Sequence, residues 1–230
     1  WQVQAETVDR GIAQLGAQDI PRLMVYNKAD KCDPDVIPFF RPDEGVKISA
    51  KTGEGVDALL AAIEKALGPV PLIAEDLGVQ TDEVRELLRK SGFPGMRVLI
   101  FGFTPDYDNE HLPHNFVPNS IVYTSTHDSQ TVCEQIMDIC TEPEKQFAYR
   151  YLRTSHAEAM GWSAIKCVWA SSANIAMTTL QDLLSLGADA RMNTPATIGG
   201  KNWRWRVRAE ALNPTVAALL GDITKTYMRG

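Results

Sequence analysis

Pro71-Leu72-Ile73-Ala74-Glu75-Asp76-Leu77-Gly78 is a short apolar run that ends in two adjacent carboxylates and a glycine turn. Apolar runs of this length, bounded by turn residues, are consistent with buried strands. A strand that delivers acids to the loop at its carboxyl end is how a β/α barrel presents catalytic groups at its top face. A Glu-Asp pair alone could equally cap a helix. A second unit of the same design strengthens the strand reading: Ser120-Ile121-Val122-Tyr123 is rich in branched and aromatic side chains and runs into Thr124-Ser125-Thr126-His127-Asp128.

Working outward, the patterning predicts strands at 71–75, 96–102, 120–125 and 176–180. Helices are expected at 81–90, near 130–139, 144–158 and 162–175, and at 215–228. Thr81 with Asp82 and Glu83 supplies an N-cap and an acidic first turn, and Gly92 closes that helix. Pro214 suits the first position of the last helix, whose apolar face is Val216, Leu219, Leu220, Ile223 and Tyr227.

Six stretches then occur in order: LIAEDLG at 72–78, FPGMRVLIFGF at 93–103, HLPHNFVPNS at 111–120, YTSTHD at 123–128, LQDLLSLGADARMNTPAT at 180–197 and NWRWR at 202–206. Together they make residues 69–230 resemble the carboxyl half of the amylomaltases, the 4-α-glucanotransferases of glycoside hydrolase family 77. The resemblance implies an α/β fold, strands five to eight of a (β/α)8 barrel. A complete barrel takes about 250 residues. It implies transfer of α-1,4-glucan segments to glucose or maltodextrin acceptors, with no cofactor and no metal.

Retaining glycosidic chemistry uses two carboxyl groups roughly 5–5.5 Å apart. By resemblance Glu75 is the general acid/base, and the flanking Leu72, Ile73 and Ala74 are expected to desolvate it and raise its pKa. Asp128 is the third acid, which holds sugar hydroxyls as the ring flattens. Asp76, His127, Arg191 and Asn193 are implied substrate contacts. The family's nucleophile is an Asp in an R-x-D-H-F-R-G segment at the end of strand four. Residues 1–70 hold nothing of that form, and the nearest acid in a similar place, Asp57, falls inside a predicted helix. The isolated chain is therefore expected to be inactive. Ser129 and Gln130 stand where the family commonly has Asn and Asp, which is expected to weaken hydrogen bonding behind Asp128.

Residues 1–68 read differently. An amphipathic helix over 2–16 carries Val8, Ile12 and Leu15 on one side and closes at Gly16. A strand at 22–26 leads to Asn27-Lys28-Ala29-Asp30, and a strand at 46–48 leads to Ser49-Ala50-Lys51-Thr52-Gly53. A helix follows from Gly55, with Val56, Leu59, Leu60, Ile63 and Leu67 on one face. NKxD and SAK after successive strands form the guanine-reading pair of translation-factor-like GTPases. The stretch is similar to the end of an HflX-type ribosome-associated GTPase, a P-loop α/β domain. In that likeness Asp30 accepts from guanine, Asn27 braces the loop, Lys28 covers the base and the Ala50 amide donates to O6, with Ser49 and Lys51 completing the motif. The phosphate-cradling G-x-x-x-x-G-K-[ST] pattern is absent from all 230 residues, as is a DxxG ahead of these loops. Guanine nucleotide is expected to bind weakly if at all. The seam falls near Ala66-Leu67-Gly68-Pro69, and a chain that opens on Trp1 reads as a piece of something longer.

A net charge of −6 argues against nucleic acid as a partner, because phosphate-binding surfaces need a basic excess. No run approaches the roughly 20 apolar residues of a membrane span. Cys32, Cys133, Cys140 and Cys167 lack metal or CxxC spacing and read as reduced thiols of a cytoplasmic protein. His111 and His114 are H-x-x-H spaced, but Leu112-Pro113 between them indicates a loop. Trp203-Arg204-Trp205-Arg206 reads as packing at the barrel end, while His156 and Cys167 read as structural. Half a barrel leaves open strand edges, so self-association is expected. A binding module without chemistry and a non-functional junction are the competing readings.

Overall fold

The computed structural model describes residues 2–20, 22–32, 45–68, 71–154 and 157–229. Pro69 at the seam and His156 lie outside the described residues. The chain forms two compact units, Trp1–Pro71 with Thr81–Ser91, and Leu72–Gln80 with Gly92–Gly230. The helix at 81–90 therefore belongs by its contacts to the first unit.

In the first unit, α1 (Gln2–Gln14) precedes β1 (Met24–Tyr26), which pairs in parallel with β2 (Gly45–Lys47), Val25 opposite Val46. Helices α2 (Val56–Leu67) and α3 (Asp82–Ser91) complete it. Gly55 starts α2 at φ 73°, and a Cβ there would lie 2.0 Å from the Lys47 carbonyl oxygen. Only glycine fits that turn. Val56 is buried, whereas the expected apolar side of α1 is open, with Val8 and Leu15 exposed.

The second unit is built on β3 (Gly95–Val98), β4 (Ser120–Tyr123) and β5 (Ile175–Met177), parallel and adjacent in chain order. Gly95 faces Ser120, and Ile121 faces Ile175. Four helices follow the strands: α4 (Val132–Glu134), α5 (Glu142–Leu152), α6 (Ala157–Trp169) and α8 (Pro214–Thr226), with the single turn α7 (Leu180–Leu183) after β5. Val98, Leu99, Ile100, Val122, Val132, Ile136, Ile165 and Val168 form the centre of one core, all essentially inaccessible. Burying each such side chain contributes about 1.5–3 kcal/mol. Strands this apolar suit a parallel sheet covered by helices.

Several expectations change. The strand at 71–75 is reduced to one parallel bridge, Ala74 to Gly95. The Asp76 carboxylate captures the Met96 amide (2.6 Å), a side-chain acceptor competing with the ladder. The strand at 96–102 stops at Val98 and tightens into a 3-10 turn, Leu99–Gly102. The helix at 130–139 is α4 followed by a π turn, Gln135–Ile139. The break between 144–158 and 162–175 comes earlier because Arg153 turns left-handed (φ 54°) and ends α5. The strand at 176–180 ends at Met177, and Thr179 caps α7 by accepting from the Asp182 amide. Among the described residues no helix is long and apolar enough to cross a membrane.

Candidate active site

The loop after β4 carries two of the candidate side chains. His127 and Asp128 are both exposed. The Asn193 side-chain amide donates to Asp128 Oδ1 (2.7 Å), and the His127 Nε2 lies 3.3 Å from the same oxygen. The Asn193 backbone N–H donates to the His127 carbonyl (3.0 Å). Arg191 donates to the Asp128 carbonyl (3.2 Å) and to the Asn193 carbonyl (2.9 Å), and pairs with Glu134 (3.4 Å). Four residues read from the sequence as sugar contacts are thus brought together. Arg191 points its guanidinium at main-chain oxygens and Glu134, so it braces the loop.

The support behind Asp128 that Ser129 and Gln130 were expected to weaken comes instead from Asn193 and Arg191. Ser129 closes its own turn, its hydroxyl accepting from the Thr126 amide (2.8 Å). Two neighbours escaped sequence reasoning. Trp203 packs its ring 5.4 Å from that of His127 rather than filling the barrel end, and is exposed. Glu134 is buried, with Oε2 unpartnered. An aromatic residue in a Gly/Asn-rich stretch was the available signal for Trp203; nothing local marked Glu134.

Glu75 immediately follows the Ala74 bridge. It therefore lies at the carboxyl side of a parallel segment, as Asp128 does, with β3 between them in the sheet. Glu75 is exposed, so the expected desolvation by Leu72, Ile73 and Ala74 does not occur; the apolar run ends before it covers the carboxylate. Asp76 is the buried member of the pair. Its carboxylate accepts from the Met96 amide and the Arg97 guanidinium (2.8 Å), and Arg97 also pairs with Glu110 (3.2 Å). Both Asp76 oxygens are committed inside the protein.

His111 and His114 do not face one another's ligand positions. His111 Nδ1 accepts from the Val98 amide (3.0 Å), and burial, reinforced by the Arg97 cation, holds its pKa below the usual value. His114 engages the Tyr151 hydroxyl and the Tyr107 carbonyl. Among the described residues no cluster of three His, Cys, Asp or Glu side chains could hold a metal.

In the first unit the two motif loops are laced together. Asn27 Oδ1 accepts from the Ala50 amide (3.1 Å) and the Lys28 amide (2.7 Å), and the Ser49 hydroxyl donates to Asp30 (2.7 Å). Lys28 is left-handed at φ 69°. The Ala50 N–H expected to meet a guanine O6 is already given to Asn27. The Ser49 bond holds the Asp30 carboxyl below its usual range. Lys51 lines a small cleft with Thr52, Asp82 and Glu86.

Parallel strands in chain order, with acids and an imidazole on the loops at their carboxyl ends, are the arrangement by which a β/α barrel presents functional groups. The profile of the 4-alpha-glucanotransferases, glycoside hydrolase family 77, matches residues 43–212. The chain belongs to this family. The match begins upstream of the seam read at Gly68 and takes in α2. A 4-alpha-glucanotransferase of Streptococcus pneumoniae is 40% identical over 171 residues, covering 74% of this chain and 34% of the relative. That of Clostridium butyricum is 37% identical over 226 residues, 96% of this chain and 45% of the relative. The solved amylomaltase of Streptococcus agalactiae, in complex with acarbose, superposes with a TM-score of 0.71 at 36% identity, over 77% of this chain and 36% of that one. The chain thus spans less than half the length of these relatives.

Proposed function

We propose that this chain carries the acid/base side of a retaining 4-alpha-glucanotransferase site acting on α-1,4-glucans. The observation that supports it is the joint hold of Asn193, Arg191 and His127 on Asp128, at the carboxyl ends of parallel strands. In this reading Glu75, free in solvent, exchanges a proton with the glycosidic oxygen. Asp128, kept in place by Asn193, accepts from the sugar's secondary hydroxyls, His127 donates to the same ring and Trp203 offers a stacking face. Asp76 would act through Arg97 and Met96 by holding the loop that bears Glu75.

The attacking carboxylate belongs to a segment of the R-x-D-H-F-R-G form, which the 230 residues do not contain. The chain alone is expected to bind maltotriose and to produce no glucose or longer dextrins. Adding a polypeptide that carries that segment is expected to start transfer, and Glu75→Gln to abolish it. Turnover by the purified chain alone overturns the missing-nucleophile argument. Failure of every mixture to bind maltotriose overturns the glucan reading.

We further infer that residues 69–230 form staves five to eight of a barrel, with β5 an open edge, and that residues 1–68 are the end of a GTPase-type domain. The hydrogen bonds from Ser49 to Asp30 and from Ala50 to Asn27 favour the second inference. With the Ala50 amide engaged and no phosphate cradle, GDP is expected to produce no measurable heat at millimolar concentration. Micromolar affinity would reverse that. Four cysteines that form no disulfide fit a reducing, cytoplasmic setting. The open edges favour self-association, to be read by sedimentation.

A further inference from the structure

Helix α7 is a single turn, yet it buries two consecutive polar side chains, Gln181 and Asp182. Polar groups out of water cost free energy unless they are hydrogen-bonded, so their partners say what the turn is for. Asp182 Oδ1 accepts from the Val132 amide (2.8 Å). Its Oδ2 accepts from the hydroxyls of Thr124 (2.6 Å) and Ser125. Thr124 and Ser125 open the loop that carries His127 and Asp128, and Val132 closes it. One carboxylate therefore staples both ends of that loop. Gln181 reaches the other way, its side-chain amide donating to the Ala190 carbonyl (3.2 Å), next to Arg191.

We propose that Gln181 and Asp182 are positioning residues which set where the His127-Asp128 loop meets the Arg191–Asn193 segment. The two segments meet through the Asn193 amide on the His127 carbonyl and the Asn193 side chain on Asp128, contacts that neither Gln181 nor Asp182 touches. A core role alone would lower global stability without favouring those contacts. A positioning role loosens them selectively. The claim that this affects sugar binding rests on the glucan reading above; the claim about position does not.

The test uses the full 230-residue chain with Asp182→Asn, Gln181→Leu and the near-isosteric Thr124→Val, which removes a single hydroxyl should the charge change prevent folding. Amide hydrogen exchange is read at Asn193, with Val122 in β4 as the core reference, and maltotriose affinity is measured alongside. Loss of a hydrogen bond to a buried charge is expected to speed exchange at Asn193 roughly tenfold or more in Asp182→Asn, less in the other two, with Val122 unchanged. Maltotriose affinity is expected to fall in the same order. Exchange at Asn193 that is unchanged in Gln181→Leu and Thr124→Val, or that rises only in step with Val122, overturns the positioning role. A wild-type chain that does not bind maltotriose overturns the sugar reading alone, and the exchange data still decide the rest.

Discussion

Asn193 and Asp128, 65 positions apart, share a 2.7 Å hydrogen bond that joins two loops at one end of the parallel sheet. Asp128 is about half exposed (49% of its side chain), so screening keeps the bond's contribution to stability small, about 0.5–1 kcal/mol. Its value lies in orientation. Asn193→Ala is expected to shift Tm by no more than about 4 °C and to weaken maltotriose binding roughly tenfold. Calorimetry on the two proteins checks both, and an affinity that follows wild type would remove Asn193 from the site.

Asp76 behaves in the opposite way. It is buried and salt-bridged to Arg97, and removing one partner of such a pair leaves an uncompensated charge, at a cost of about 3–5 kcal/mol. Glu110 still faces Arg97 in the variant, which places Asp76→Ala near the lower end, about 3 kcal/mol. Urea unfolding measures it. A loss below about 1 kcal/mol would mean that the carboxylate is not held inside the fold.

The contrast between these acids shows what the sequence could carry. Glu75 and Asp76 are neighbours of one chemical type, and nothing local distinguishes the exposed from the buried one. The distinction comes from Arg97 and Met96, some twenty positions later. Run-length patterning located β3, β4 and β5 within a few residues, because buried parallel strands need continuous apolar runs. Their carboxyl ends were harder to place. Side chains that compete for strand amides, as Asp76 and His111 do, set where β3 pairs, and the left-handed Arg153 ends helix α5; none of these alters hydrophobic patterning. The His127-Asp128 loop was legible from the strand-like run that leads into it, the Arg191–Asn193 segment only through the family resemblance. Trp203 and Glu134 were missed because their roles depend on which loops meet.

His111 makes stability pH-dependent. Its folded pKa lies below the free imidazole value of 6.5, through burial first and the Arg97 cation second, with Glu110 and Asp76 pulling the other way. As pH falls, the unfolded chain takes up this proton first. The contribution is therefore complete above pH 6.5 and is lost as pH drops towards the folded value. His111→Asn retains an oxygen able to accept from the Val98 amide but does not titrate. Its unfolding midpoint is expected to vary less than wild type between pH 7 and about 5. Equal slopes would mean that the imidazole is not shielded.

Thiol reactivity provides a test of burial without any ligand. Burial pushes the Cys133 and Cys167 thiols up to about 11, and Cys140 is also raised. Cys32 is exposed. The thiolate is the attacking species, so a disulfide reagent at pH 8 is expected to modify Cys32 first and to reach Cys133 and Cys167 only after urea is added. Fast reaction at Cys133 in the native chain would show that the α4 region opens.

Gly161 decides whether α6 and α7 pack as closely as described. A Cβ at this position would lie 1.9 Å from the Asp182 carbonyl oxygen and 2.7 Å from the Ser185 hydroxyl. Alanine gains about 1 kcal/mol of helix propensity over glycine within α6. The clash is with backbone, which cannot swing aside, and overpacking of this kind costs about 1–3 kcal/mol or more. The clash outweighs the propensity, so Gly161→Ala is expected to lower the urea midpoint despite being the better helix former. Because α7 must move to admit the methyl group, the Asp182 bonds to Thr124, Ser125 and Val132 are strained with it. Faster exchange at the Val132 amide is therefore expected alongside the lost stability. A variant more stable than wild type would place α7 further from α6 than the structure has it.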